Sequence, residues 1–132
     1  MEQLQAQQVW QRAHPPAPPG HETDLRALLQ QVRFQQSISR QLGLAALEKS
    51  YAACASSIRG MLVLSGKLPT NGLPPIPKLP RRQLLTESFR RSRELVLEFT
   101  ARSALPDFGT AFRTLAQDES RRQLEILEQL GG

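Results

Sequence analysis

Leu115-Ala116-Gln117-Asp118-Glu119-Ser120-Arg121-Arg122 decides the reading of this chain, because it sets charged residues where a helix should be apolar. Phe108, Phe112, Leu115, Glu119, Arg122, Ile126 and Leu130 follow one another at steps of three or four, which is one face of a helix. Glu119 and Arg122 therefore interrupt a core stripe. A Glu followed three residues later by a His at such a place is how a carboxylate-bridged metal centre is assembled inside a helical bundle, and here the His position holds Arg122. Two readings of the pair stand side by side: an internal ion pair, or a charge pair on the exposed face of a rotated helix, where such i, i+3 pairs are common.

The rest of the chain is also helical in character. Leu, Gln, Ala, Arg and Glu dominate its 132 residues and strand-favouring residues are scattered, so propensity points to an all-α domain with a tail. Residues 1–21 read as a Gln/Pro-rich arm: Met1 to Arg12 has the makings of a short helix with Leu4 and Val9 or Trp10 on adjacent turns, and Pro15-Pro16-Ala17-Pro18-Pro19-Gly20 separates it from the domain. Residues 22–132 read as a bundle with helices at about 23–42, 44–65, 81–104 and 107–130.

In the first helix Leu25, Leu28, Leu29, Val32, Phe34, Ile38 and Leu42 form the apolar face, and Gly43 can cap its end. The second has Leu44, Leu47 or Glu48, Tyr51, Ala55, Ile58 and Leu62, and its many small residues predict that it is the most enclosed of the four. Five of the ten prolines lie between Lys67 and Pro80, together with Asn71-Gly72, and exclude regular structure there. The third helix presents Leu85, Phe89, Ser92, Val96, Phe99 and Ser103, and Pro106 with Asp107 as N-cap opens the fourth. Short, long and short connections predict an antiparallel four-helix bundle with one crossover.

Leu44-Ala45-Ala46-Leu47-Glu48 repeats Leu115-Ala116-Gln117-Asp118-Glu119 at Leu, Ala and Glu, so each predicted hairpin carries the same signal in its second helix. With this repeat, the stretch Phe112 to Leu127 and the end of helix two at Met61-Leu62-Val63-Leu64-Ser65-Gly66 before a Pro-rich crossover, residues 22 to 130 resemble the ferritin-like superfamily, particularly small rubrerythrin-like proteins of bacteria. The resemblance implies two metal ions, iron or manganese, held by a Glu from each of helices one and three and a Glu-x-x-His from each of helices two and four.

Transferred residue by residue, the ligand pattern is degenerate. Helix four keeps Glu119 and has Arg122 for His; helix two offers Glu48 with Tyr51, or Ser50 with Ala53; helix three offers Ser92; helix one offers Gln31 or Gln35. His14 and His21 lie outside the predicted bundle. A di-metal centre needs about four carboxylates and accompanying imidazoles, which this set does not supply. The vestigial ligands are then Glu119 and Glu48, and Glu119, Arg122, Tyr51, Ser92 and Gln31 are the expected polar replacements at the former metal position.

Three function classes follow. The first is a non-catalytic ferritin-like bundle acting as a structural or protein-interaction module, with a second copy or another protein as partner. The second is a residual di-iron-type metal-binding protein. The third is attachment of an anionic partner to Arg81, Arg82, Arg90, Arg91 and Arg93, although 17 Lys+Arg against 12 Asp+Glu is modest for a nucleic-acid binder. No Ser or Cys has a His inside the domain to activate it, and Asn71-Gly72 is a turn signal and not a phosphate-binding loop. The absence of an apolar leader core and of a run of about 20 apolar residues makes a cytoplasmic protein without a membrane span the expectation. Cys54, the single cysteine, excludes an internal disulfide and sits in surroundings that favour a buried thiol.

Overall fold

The computed structural model describes residues 24–69 and 72–132. The Gln/Pro-rich arm, with Trp10 and both histidines, lies outside the described residues, as does Asn71. Four helices carry the fold: α1 Asp24–Gln41, α2 Ala45–Leu64, α3 Arg81–Arg102 and α4 Gly109–Gly131, with no strand among the described residues. The predicted boundaries agree to within two residues.

α1 packs chiefly on α2 and α3 chiefly on α4; α1 also meets α3 and α2 meets α4, so α1 and α4 stand on one diagonal of a four-helix bundle and α2 and α3 on the other. The apolar residues at helical spacing explain the pairing. Leu28, Leu29, Val32, Tyr51, Ile58, Leu62, Leu95, Phe99, Phe112 and Ile126 are buried in one continuous core. Each large aliphatic side chain removed from water in this way contributes about 1.5–3 kcal/mol. The Phe99 and Phe112 rings lie 6.2 Å apart between α3 and α4.

The ends of α1 and α2 are set by glycine. At Gly43, with φ at +72°, the Gly43 N–H bonds to the Arg40 carbonyl and the Leu44 N–H to that of Ser39. Gly66 repeats this after α2, with its own N–H on Val63 and that of Lys67 on Leu62. Both are Schellman closures, which satisfy the last carbonyls of a helix through a left-handed residue. The Pro-rich connection is then tied to α1: Arg33 Nη1 donates to the Gly72 carbonyl at 3.2 Å and Ser37 Oγ to that of Pro74 at 2.9 Å. At the start of α3, Arg81 donates to the Leu42 carbonyl and to Gln129 Oε1, and so joins the ends of α1 and α4.

Two expectations are corrected. Asp107 does not cap α4: the cap position is Phe108, in the left-handed region at φ +62°, without a side-chain cap hydrogen bond. A tight turn after Pro106 brings the Gly109 backbone against the Ser103 carbonyl, where a Cβ would stand only 2.8 Å away. Nor is α2 enclosed by its small residues. Ala45, Ala46, Ala53, Ser56, Ser57 and Gly60 are exposed, and burial falls instead on Leu47, Tyr51, Cys54, Ala55, Ile58, Met61 and Leu62. Bulk selected the inward face, because large apolar groups gain more from burial.

Candidate functional site

The centre of the bundle is polar. Glu119 on α4 is fully buried and Arg122, one turn on, is 4% exposed, so the pair faces inward. Arg122 Nε and Nη2 donate to Glu119 Oε1 at 3.1 and 3.0 Å. The other oxygen, Oε2, accepts from the Tyr51 hydroxyl at 2.6 Å and from Ser92 Oγ at 2.7 Å. α2, α3 and α4 thus all converge on one carboxylate.

α1 joins through Gln35. Its Nε2 donates to the Tyr51 hydroxyl at 3.1 Å and to the Ser88 carbonyl at 2.8 Å. Arg122 Nη1 reaches outward to Ser50 Oγ at 3.0 Å, and its guanidinium carbon lies 4.7 Å from the centroid of the Tyr51 ring. Gln35 Oε1 and Ser88 Oγ are buried without a hydrogen-bond partner among the described residues.

Of the sequence-predicted site residues, Glu119, Arg122, Tyr51 and Ser92 come together. Gln31 does not: it is half-buried and one turn too early on α1, and Gln35 takes the position. Glu48 does not either. It is half-buried near the end of α1, with an oxygen 4.0 Å from Arg40 Nε, and Tyr51 is the α2 residue that meets Glu119. Ser50 belongs to the other register considered for helix two and reaches the cluster from its edge. Ser88 was missed; a serine four residues before Ser92 is the only signal for it.

Burial pushes the Glu119 carboxyl up from its ordinary value, against the pull of Arg122, Tyr51 and Ser92 in the other direction. Burial lowers Arg122, but Glu119 chief among its neighbours outweighs this and leaves the guanidinium above its ordinary value. The Tyr51 hydroxyl is raised well above the usual range by burial and by the adjacent carboxylate. Burial likewise pushes the Cys54 thiol up to about 12. Tyr51 and Arg122 are thus held in their protonated forms, as donors to Glu119.

These residues do not fit a di-metal centre. One carboxylate is present, its two oxygens already accept four hydrogen bonds, and a guanidinium stands where a neutral imidazole would be required. Among the described residues no group of three or more His, Cys, Asp and Glu side chains is placed to hold a metal ion. A groove of about 330 Å³ between α2 and α4 leads from the surface to Arg122, lined also by Ser50, Cys54, Ser57, Asp118 and Arg121.

Four of the five arginines at the start of α3 are engaged within the fold, and Arg93 is exposed. Arg81 and Arg82 donate to groups at the ends of α1 and α4, Arg90 pairs with Glu87 and Glu94, and Arg91 pairs with Glu87 while lying 4.1 Å over the Phe34 ring. That stacking leaves Phe34 half-buried. No helix of the described residues is long and apolar enough to cross a membrane. Compared with protein-family models, curated proteins and solved structures, the chain matches none.

Proposed function

We propose that this chain is an antiparallel, ferritin-like four-helix bundle whose metal position is filled by an internal ion pair, and that it serves as a structural or protein-interaction module without catalysis. The observation that carries this reading is the complete engagement of Glu119 by Arg122, Tyr51 and Ser92. A divalent cation at that place would have to displace a permanently charged guanidinium and break four donor contacts. Support for one crossover comes from the Pro-rich connection, which bonds to α1 at Arg33 and Ser37, and from the start of α3, which bonds to Leu42 just after α1 and to Leu130 of α4.

Metal analysis tests the reading directly. Protein purified from cells supplemented with iron and manganese should carry far less than one equivalent of either, and a stoichiometric metal content overturns it. For the module role, the exposed Leu124 and Leu127 of α4 offer an apolar pair to a second copy or another protein. Sedimentation should then show association that rises with concentration, whereas a monomer throughout removes self-association from the reading.

A further inference from the structure

The outer face of α2 near its end is uncharged and uncovered among the described residues. Ser56, Ser57, Gly60, Val63 and Leu64 are all exposed, and Leu68 follows just beyond the helix. Val63, Leu64 and Leu68 are 61%, 79% and 82% exposed, three large apolar side chains within six positions. Arg59, the one charge in the stretch from Ser56 to Leu64, is half-buried and acts electrostatically on Arg33 of α1.

Gly60 makes this face unusual. It lies inside α2 with ordinary helical backbone, and nothing stands within 4 Å of where a Cβ would be. No described neighbour therefore calls for glycine, although glycine inside a helix costs about 0.5–1 kcal/mol relative to alanine. A group that approaches the helix backbone closely accounts for it. Val63 and Leu64, three and four residues on, flank the spot on the same face and make a shallow apolar seat.

The length and end point of the preceding chain identify the occupant. Residues 1–23 join the bundle at Asp24, the first residue of α1. α1 and α2 are about 27 and 30 Å long, pack side by side and are joined by three residues, so the start of α1 lies beside the end of α2. The segment's large apolar residues include Leu4, Val9 and Trp10, with Glu2 and Arg12 as its only charges before the prolines. From Trp10 to Asp24 the chain can reach roughly 46 Å, whereas a packed neighbouring helix is only about 8–10 Å away. Trp and two aliphatic residues bury too little area for a stable dimer, which needs on the order of 1,200 Å², but tethering supplies a local concentration near millimolar.

We propose that Trp10, supported by Leu4 and Val9, docks within its own chain onto the α2 face formed by Gly60, Val63 and Leu64. The seat lies on the outer surface, so the docking is independent of whether a metal binds at Glu119.

Trp10 is the only tryptophan, so the emission of the intact protein reports on it alone. The native chain should show blue-shifted emission and acrylamide quenching several-fold slower than N-acetyltryptophanamide, both unchanged on dilution. G60E has open space for its side chain and should keep the helical far-UV signal while bringing quenching close to that of the free model compound. A V63S/L64S double variant provides the same test at exposed positions should G60E fail to fold, and L97S at an exposed site on α3 should leave the emission unchanged. Native Trp10 quenched like the free compound, or emission indifferent to both α2 changes, overturns the proposal. Shielding that disappears on dilution also overturns it, because Trp10 would then rest on a second copy.

Discussion

Arg122 gives two hydrogen bonds to a single oxygen of Glu119, at 3.1 and 3.0 Å, and leaves the other oxygen to Tyr51 and Ser92. The arrangement divides the carboxylate between its own helix and the two others that face it. An i, i+3 ion pair that would be nearly neutral in water therefore acts here as a cross-link between hairpins.

Removing one partner of this pair should cost far more than removing both. R122L leaves a buried carboxylate without its cation and should destabilise the protein by about 3–5 kcal/mol. E119L/R122L should recover a large part of that loss, because the uncompensated charge is gone. Urea unfolding of the two single variants and the double variant measures the coupling.

Tyr51→Phe removes one donor from Glu119 and one of the two acceptors of Gln35 Nε2, while leaving the ring in place. A loss of about 1–3 kcal/mol is expected, the cost of leaving buried polar groups short of partners. Ser92→Ala takes a donor from the same oxygen, so its effect should be non-additive with Y51F in equilibrium unfolding.

Gly109→Ala should strain the start of α4. Its Cβ would meet the Ser103 carbonyl at 2.8 Å, and backbone has to shift. A cost of about 1–3 kcal/mol is expected by analogy with overpacking. Gly43→Ala meets no neighbour but must hold φ +72°, and should lose about 1–2 kcal/mol to left-handed strain alone. Thermal melts of both variants separate the steric from the conformational cause.

Glu87 supplies an acid-sensitive part of the stability. Burial alone would raise its carboxyl, but hydrogen bonds and charge from Arg90 and Arg91 hold it below the ordinary 4.5. The folded state thus binds its proton less readily than the unfolded chain does. The contribution is complete above pH 4.5 and is lost as the pH falls through the lower folded value. Glu87→Gln should lower stability at neutral pH and flatten this acid limb, measured by urea titrations on both sides of 4.5.

Cys54 should be inert while the protein is folded. Its thiol lines the groove to Arg122 but is buried at 3% exposure and pushed up to about 12, so the thiolate is scarce at neutral pH. Reaction with a thiol reagent should track global unfolding, with a rate that rises in urea in step with the loss of helix signal. Rapid modification in native buffer would contradict this burial.

Local physics made much of the fold legible. The spacing of Leu25, Leu28, Leu29 and Val32, the glycines at 43 and 66, and the proline-dense connection fixed four helices and their ends to within two residues, because periodicity and left-handed caps depend on neighbours in sequence. The pairing of Glu119 with Arg122 was legible for the same reason: residues three apart on a helix share a face whatever surrounds them. The role of Asp107 was misread because a backbone approach between Gly109 and Ser103 decides that turn, and no propensity encodes it.

Helical spacing alone places a carboxylate and a guanidinium in an apolar stripe of the last helix. Packing between the helices selects the groups that meet them. Gln31 and Gln35 are equivalent by composition, as are the Glu48–Tyr51 and Ser50–Ala53 registers of α2, and the choice rests on how far each helix slides and turns against its neighbours. Packing large apolar groups inward set those offsets, and they brought Tyr51, Ser92 and Gln35 to the level of Glu119 while leaving Glu48 beside Arg40. Hydrogen bonds across 68 residues of sequence, as between Tyr51 and Glu119, depend on that registration and have no local signature.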